Sequence, residues 1–319
     1  MEHMTKIDRE DIYLISRHSN LSEQGIKKLL KERVYSNQND WKKFLSLIMM
    51  SLGAGFTAFG ILFFFAYNWA DLHKFVKLGL IEGLIIAVTV ALLTLKLSSL
   101  TRNILLTGTA LIIGVLFAVF GQIYQTGANA YDFFLGWTIF ITLWVAVANF
   151  APLWLIYIAL INTTLVLYHQ QVLHSGISTY LYTVCFVLNG FFLISFLFLN
   201  HLNNKIHAPR WYINLLALAT VTFATLGNIV AIMDKADGWF ILLLILSVVL
   251  YGYGIYHALR EQSSFYLSII AFSVIVVLCF VIIRIIDGKS MFFVISIFVI
   301  ATVTLVVLQL LKLQKKWRG

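Results

Sequence analysis

Hydrogen-bonding side chains form two short clusters between long apolar runs of this sequence. One cluster follows residue 67 and the other follows residue 121, and neither contains a lysine or an arginine. The candidate binding residues in these clusters are Asn68, Trp69, Asp71, Gln122, Tyr124, Gln125 and Asp132. A few such polar groups beside apolar surface are typical of a shallow ligand pocket. The alternative is that they satisfy helix ends at a wet boundary.

Glu82 is the one carboxylate inside a long apolar run. Gly79 and Gly83 form a small-xxx-small pair beside it, which predicts that this face packs on another helix and that Glu82 points into a bundle. An ionisable group in that setting is protonated or paired, and it marks a proton- or cation-coupled site. The alternative is a neutral glutamic acid that hydrogen-bonds to a neighbouring helix.

Membrane-spanning helices are the elements that must position these residues. Hydrophobic residues make up 61% of the 319 and charged residues only 12%, which a soluble domain cannot accommodate in one core. Runs of about 20 residues cross a hydrocarbon layer about 30 Å thick. The sequence therefore predicts an all-α integral membrane protein, a bundle of about ten transmembrane helices. The predicted spans are 45–67, 75–95, 103–125, 133–149, 152–168, 179–200, 211–232, 238–256, 264–286 and 290–311.

The turn around Asn149–Pro152 decides the number of spans. With ten spans, 18 of the 23 lysine and arginine residues lie on the side of the amino terminus and five on the other. If residues 133–168 formed one broken span, the counts would be 14 and nine. Because basic residues concentrate in cytoplasmic segments, ten spans with both termini in the cytoplasm is the better prediction. Pro152 also suits the first turn of a new helix.

The charge pattern also divides the chain into a head, a bundle and a tail. Residues 1–44 form a predicted cytoplasmic amphipathic head, residues 45–311 the bundle, and residues 312–319 a short basic tail. Ser22 is the predicted N-cap of a helix in the head. That helix either docks a protein partner or anionic lipid, or caps the bundle. The net charge of +9 is spread over several short loops, so membrane lipid is expected as a partner and nucleic acid is not.

Motifs for catalysis and metal binding are missing from the sequence. It contains no phosphate-binding glycine loop, HExxH or GxSxG pattern, so we expect no catalytic residue and no cofactor. The histidines near residues 169–174 and 201–207 have no companion cysteine or carboxylate ligands, so we expect no metal site. An enzyme acting on a lipid-linked substrate is the third-ranked alternative, because fold alone does not exclude it.

Short stretches recur along the chain. The sequence Gly60–Phe63 is similar to Gly114–Val115–Leu116–Phe117, 54 residues later, and Asp132, Asp237 and Asp287 each precede aromatic residues at the start of a span. One interpretation is a bundle built from repeated helical hairpins. The other is that aspartates cap helices and aromatic residues lie at the interface. In span three, Ala110, Gly114 and Ala118 form a second row of small residues that predicts helix packing.

Three segments carry a family resemblance. They are Leu21–Gln24, then Gly60–Phe63 leading to Ala66–Trp69, and Gly121–Gly127 with its continuation from Tyr131–Asp132 to Trp137. Together they resemble an uncharacterised bacterial family of predicted membrane proteins, domain-of-unknown-function family 2157 (DUF2157), over roughly residues 10–170. The resemblance implies a multi-pass protein of the bacterial cytoplasmic (inner) membrane, and it implies no activity or site.

Two functional hypotheses follow from these observations. The first is a non-enzymatic membrane protein that binds, senses or transports a small solute or lipid through an outward-facing polar site. In this hypothesis the two polar clusters form the outer mouth and Glu82 is a protonatable group beneath it. The alternative is a non-catalytic scaffold or assembly partner in which the polar residues hold helices together. A cavity running from Gln122 towards Glu82 favours the first hypothesis, and tight closure around Glu82 favours the second.

Overall fold

The structure is a computed structural model that describes residues 22–30, 38–67, 72–124, 127–174, 176, 178–202, 208–234, 238–286, 288 and 290–318. Within these ranges the regular structure is helical and no strand is present. The helices are α1 (Glu23–Leu29), α2 (Gln38–Tyr67), α3 (Lys74–Thr94), α4 (Ser99–Tyr124), α5 (Ala130–Ala148), α6 (Ala151–Gln171), α7 (Thr179–Leu202), α8 (Arg210–Met233), α9 (Gly238–Arg260), α10 (Ser264–Ile285) and α11 (Ser290–Arg318).

Ten helices in the described part of the chain, α2 to α11, are long and apolar enough to cross a membrane. This confirms the predicted all-α fold. Helices suit such sequences because each backbone N–H and C=O finds its partner within the same segment, and lipid offers none. The first and last helices extend past the predicted spans. α2 begins at Gln38 and α11 continues to Arg318, so the basic residues assigned to the tail lie on the last turns of α11.

The turn between α5 and α6 confirms the count of ten. α5 ends at Ala148, and Asn149 adopts a left-handed conformation with φ of 43°. α6 then begins at Ala151, with Pro152 in its first turn. Proline lacks a backbone N–H, and the first turn of a helix is where that donor has no intrahelical partner. The segment is therefore two helices and not one broken span.

Part of the predicted amino-terminal head is described. The Ser22 side chain accepts a hydrogen bond from the backbone N–H of Gly25 at 3.2 Å, and α1 starts immediately after it. This confirms Ser22 as an N-cap. Residues 1–21 and 31–37 of the head lie outside the described residues.

Contacts divide the chain into two compact units. The first comprises residues 1–72 and 96–108, and the second comprises residues 73–95 and 109–319. In the first unit, Ala54 of α2 lies beside Gly108 of α4, 3.8 Å from where a glycine-borne Cβ would be. The second unit contains α3, the rest of α4 and α5 to α11, and it holds the candidate site.

In the second unit, α8 is the centre of the core and packs on α7, α9 and α10. Tyr212 is fully buried at its start, with its ring edge-on to Phe196 of α7 at 5.0 Å between centroids. Trp154 of α6 meets the same phenylalanine at 5.3 Å. The buried residues of α8 are Tyr212, Ile213, Leu216, Ala217, Thr220, Val221, Ala224, Gly227, Asn228 and Ala231. These rings and small residues join α6, α7 and α8 at a common level.

Candidate functional site

Two walls of the candidate site are α4 and α5, which interlock through Trp137. The indole lies over Gly114 of α4, so closely that an added Cβ would be 2.5 Å from two ring carbons. The Nε1–H of Trp137 donates a hydrogen bond to the Ala110 carbonyl oxygen at 2.7 Å. Ala110 is completely buried. The prediction that Ala110 and Gly114 pack on a neighbouring helix is therefore confirmed, whereas Ala118 is exposed.

Two further contacts between an aromatic ring and a glycine join α4 and α5. Phe133 of α5 lies over Gly121 of α4, and Phe117 of α4 lies over Gly136 of α5; in each case an added Cβ would be 2.7 Å from a ring carbon. The contacts run antiparallel along the pair, with each helix contributing both rings and glycines. These contacts between rings and glycines fix how α4 and α5 are aligned with each other.

The third wall is α3. Lys77 and Ile81 are its most buried residues, at 7% and 1% exposure. At its first turn the Lys74 ammonium group lies 5.9 Å from the centroid of the Tyr124 ring, so the beginning of α3 is next to the end of α4.

A groove of about 470 Å³ lies between these three helices, and we call it the α3–α5 groove. It is open at the surface, because Ile86 and Phe140 on its walls are 63% and 65% exposed. Its volume is in the range of sites that hold a drug-sized molecule. The residues that line it are Leu78, Glu82, Ile85, Ile86, Ile113, Leu116, Phe117, Phe120, Phe140 and Trp144. Glu82 is the single ionisable group among them.

Glu82 lines this groove with an exposed side chain, and no described residue forms a hydrogen bond or ion pair with it. It lies eight residues into α3, about 12 Å along the helix axis at ~1.5 Å per residue. A charged group at such a depth in hydrocarbon costs about 2.5–3.5 kcal/mol unless something compensates it. Within the described structure, that compensation does not come from the protein.

The prediction that Gly79 and Gly83 pack on another helix, with Glu82 pointing into the bundle, was wrong. No described residue outside their own turn of α3 lies within 4 Å of a Cβ added to Gly79 or Gly83, and both glycines are exposed. At about 100° per residue, the buried Lys77 and Ile81 define a different face of α3. Glu82 lies at the edge of that face, between the packed side and the open side. It therefore points along a groove and not into a closed helix interface.

The predicted outer mouth is described only in part. Asn68, Trp69, Asp71 and Gln125 lie outside the described residues. Gln122 and Tyr124 are exposed at the end of α4 and are not among the residues lining the groove. Phe120, which is 43% exposed, is the last lining residue on this helix. The groove thus runs from Glu82 to within one turn of Gln122.

Asp132 serves a helix end. Its Oδ2 accepts a hydrogen bond from the Asn129 backbone N–H at 3.0 Å, completing a capping box at the start of α5. A neighbouring contact fixes the same end, because the Tyr131 N–H donates to Oε1 of Gln171 at 3.0 Å. For this residue the structure agrees with the capping alternative that the sequence left open.

Sequence reasoning missed the aromatic part of the site. Phe117, Phe120, Phe140 and Trp144 contribute four rings to the groove. Their spacing, i to i+3 on α4 and i to i+4 on α5, places each pair on one helical face. This signal is present in the sequence, but apolar residues occupy every face of these helices. Only the packing of the helices shows which aromatic residues line the same groove as Glu82.

Comparison with known families adds one match. Residues 18–154 match a family model described as "Predicted membrane protein (DUF2157)". We call residues 18–154 the matched region. The match confirms the family resemblance and agrees with the multi-pass membrane fold. No curated protein and no solved structure matches the chain. All residues of the α3–α5 groove, from Leu78 to Trp144, lie within the matched region.

Proposed function

We propose that this protein binds a small amphipathic molecule that partitions into the membrane, and that the α3–α5 groove is its site. The observation that carries the proposal is the position of Glu82, a carboxylate that no described residue pairs with, on the wall of an otherwise apolar groove. The apolar walls would take up the hydrophobic part of the ligand. Glu82 would contact its polar group.

Glu82 can gain interaction free energy from a ligand. A carboxylate at membrane depth needs a hydrogen-bond or charge partner, and a ligand that supplies one is bound more tightly for that reason. Apolar walls alone would not select this ligand from bulk lipid, because lipid tails are equally apolar. Recognition therefore depends on the polar contact, and the walls set the size of the molecule.

The scaffold alternative fits this region less well. A role in holding helices together predicts tight packing around Glu82, and the structure instead has a groove of about 470 Å³ there. We propose a binding or transport role without catalysis. We also propose that the protein lies in the cytoplasmic membrane with both termini in the cytoplasm, as the distribution of basic residues favours.

Photo-crosslinking of the full-length protein in nanodiscs tests the proposed site. The probe is a long-chain alcohol that carries a diazirine, and the labelled residues are identified by mass spectrometry. We expect labels on the groove walls, and an Ile86→Trp variant that fills the groove should reduce them severalfold. Leu80→Trp is the matched control, because Leu80 is 52% exposed on the same helix and does not line the groove. Equal labelling of the two variants would overturn the proposal.

A further inference from the structure

We infer that the ligand of the α3–α5 groove is a hydrophobic organic cation: an ammonium or quaternary ammonium group attached to an apolar body. The inference rests on the proposed function and adds the sign of the ligand's charge.

Charge complementarity is the first argument. Among the described residues that line the groove, Glu82 is the one ionisable group and none is cationic. Two lysines lie on the first turns of α3. The Lys74 ammonium group is 5.4 Å from the centroid of the Phe75 ring and 5.9 Å from that of the Tyr124 ring, and it is eight residues from Glu82, about 12 Å along the axis. Lys77 is five residues from Glu82 and 7% exposed, but it belongs to the packed face of α3 and is not among the residues that line the groove. A cation in the groove would therefore meet the Glu82 carboxylate on walls where no described residue is positively charged.

Aromatic rings are the second argument. Phe117, Phe120, Phe140 and Trp144 line the same groove as Glu82, and Phe117 and Phe140 meet edge to face at 5.4 Å. The face of an aromatic ring attracts ammonium groups, most strongly where water is excluded. A carboxylate together with several rings is the combination that recognises alkylammonium groups. A neutral head group would gain less than a cation from the rings and from Glu82, and an anionic head group would be repelled by the carboxylate.

The depth of Glu82 in the membrane distinguishes between two possible ligands, a free organic cation and a phospholipid that carries an amine. Glu82 lies about 12 Å along the axis from the beginning of α3. When α3 spans the membrane, this position is below the level of the phospholipid head groups. An amine of a phospholipid could reach it only by drawing the adjacent phosphate into the hydrocarbon layer, which is strongly unfavourable. A molecule with one positive charge and no phosphate avoids this cost. The groove volume suits a compact molecule of this kind.

Competition against the diazirine alcohol tests the sign of the charge. Decyltrimethylammonium and decanol carry the same alkyl chain, and each is added to nanodiscs of phosphatidylcholine at a matched membrane concentration. In the native protein we expect the cation to block labelling at roughly tenfold lower concentration than the alcohol. Glu82→Gln should bring the two close to equal potency, and Glu82→Asp should keep most of the preference.

The outcomes distinguish this inference from the proposed function. Equal potency in the native protein, or a preference that survives Glu82→Gln, overturns the cation inference; the groove function stands if Ile86→Trp still reduces labelling. Displacement by added phosphatidylethanolamine as effective as that by the free cation also overturns it. If Ile86→Trp and Leu80→Trp label alike, the groove function itself fails. Thermal unfolding of each variant confirms that it is folded.

Discussion

Asn162 of α6 and Asn189 of α7 exchange two hydrogen bonds between their side-chain amides, at 2.8 and 3.3 Å. Each Nδ2 also donates to the backbone carbonyl four residues earlier, of Ile158 and Cys185 respectively. Asn189 is 1% exposed. All four donor hydrogens of the two amides are therefore used, and the pair joins two helices near the middle of their spans.

Replacing either asparagine with leucine should lower stability by about 1 kcal/mol, the usual contribution of a polar contact between membrane helices. The partner amide would lose its interhelical bonds in either case. The double variant should therefore cost little more than one single variant, and a double-mutant cycle of unfolding free energies measures this. Additive losses would contradict the pairing.

The sequence predicted the lengths of the spans much better than the faces of the helices. Apolar length and Pro152 were enough to place ten helices, because lipid thickness and backbone hydrogen bonding act on each segment alone. That Asn162 joins Asn189 depends on how α6 and α7 are aligned, which the sequence of either helix alone does not determine. The interhelical face predicted for Glu82 was wrong for the same reason, since small residues permit close packing without requiring it.

The contact between Trp137 and Gly114 predicts that any larger residue at position 114 destabilises the protein. Gly114→Ala places a Cβ 2.5 Å from the indole, so Trp137 must move and lengthen its 2.7 Å hydrogen bond to Ala110. We expect a loss of about 1–3 kcal/mol, measured as a lower thermal midpoint in detergent. Gly252→Ala on α9 is the control, because no atom lies within 4 Å of its added Cβ. A second substitution, Trp137→Phe, should recover part of the loss, and equal midpoints for Gly114→Ala and Gly252→Ala would refute the contact.

A chain of hydroxyl groups joins α8, α9 and α10, and its direction is fixed. Thr225 donates its one hydroxyl proton to the Val221 carbonyl oxygen. Ser273 must then donate to Thr225, and Tyr251 to Ser273, both at 2.6 Å. Ser273 is the central member and is 4% exposed.

Ser273→Ala should therefore destabilise the protein more than Tyr251→Phe does. The alanine leaves the partly buried Tyr251 hydroxyl without an acceptor and removes a donor from Thr225, whereas Tyr251→Phe removes one bond and leaves no donor unpaired. We expect about 1 kcal/mol for Tyr251→Phe and up to about 3 kcal/mol for Ser273→Ala. Ser296→Ala is the control, since the Ser296 hydroxyl is exposed and bonds only its own helix. The reverse order of the two midpoints would contradict the direction of the chain.

Membrane sidedness can be tested with four single cysteines in a background without Cys185 and Cys279. Lys43→Cys, Glu261→Cys and Lys316→Cys should be labelled from one face, and Leu173→Cys, in the turn between α6 and α7, from the opposite face. An impermeant maleimide applied to spheroplasts and to inverted vesicles gives the measurement, and the basic residues predict that Leu173→Cys reacts in spheroplasts.

All four positions are exposed, so a failure to react reports sidedness and not burial. An even number of spans requires Lys43→Cys and Lys316→Cys to react from the same face. Labelling of these two from opposite faces would mean that one of the ten helices does not cross the membrane.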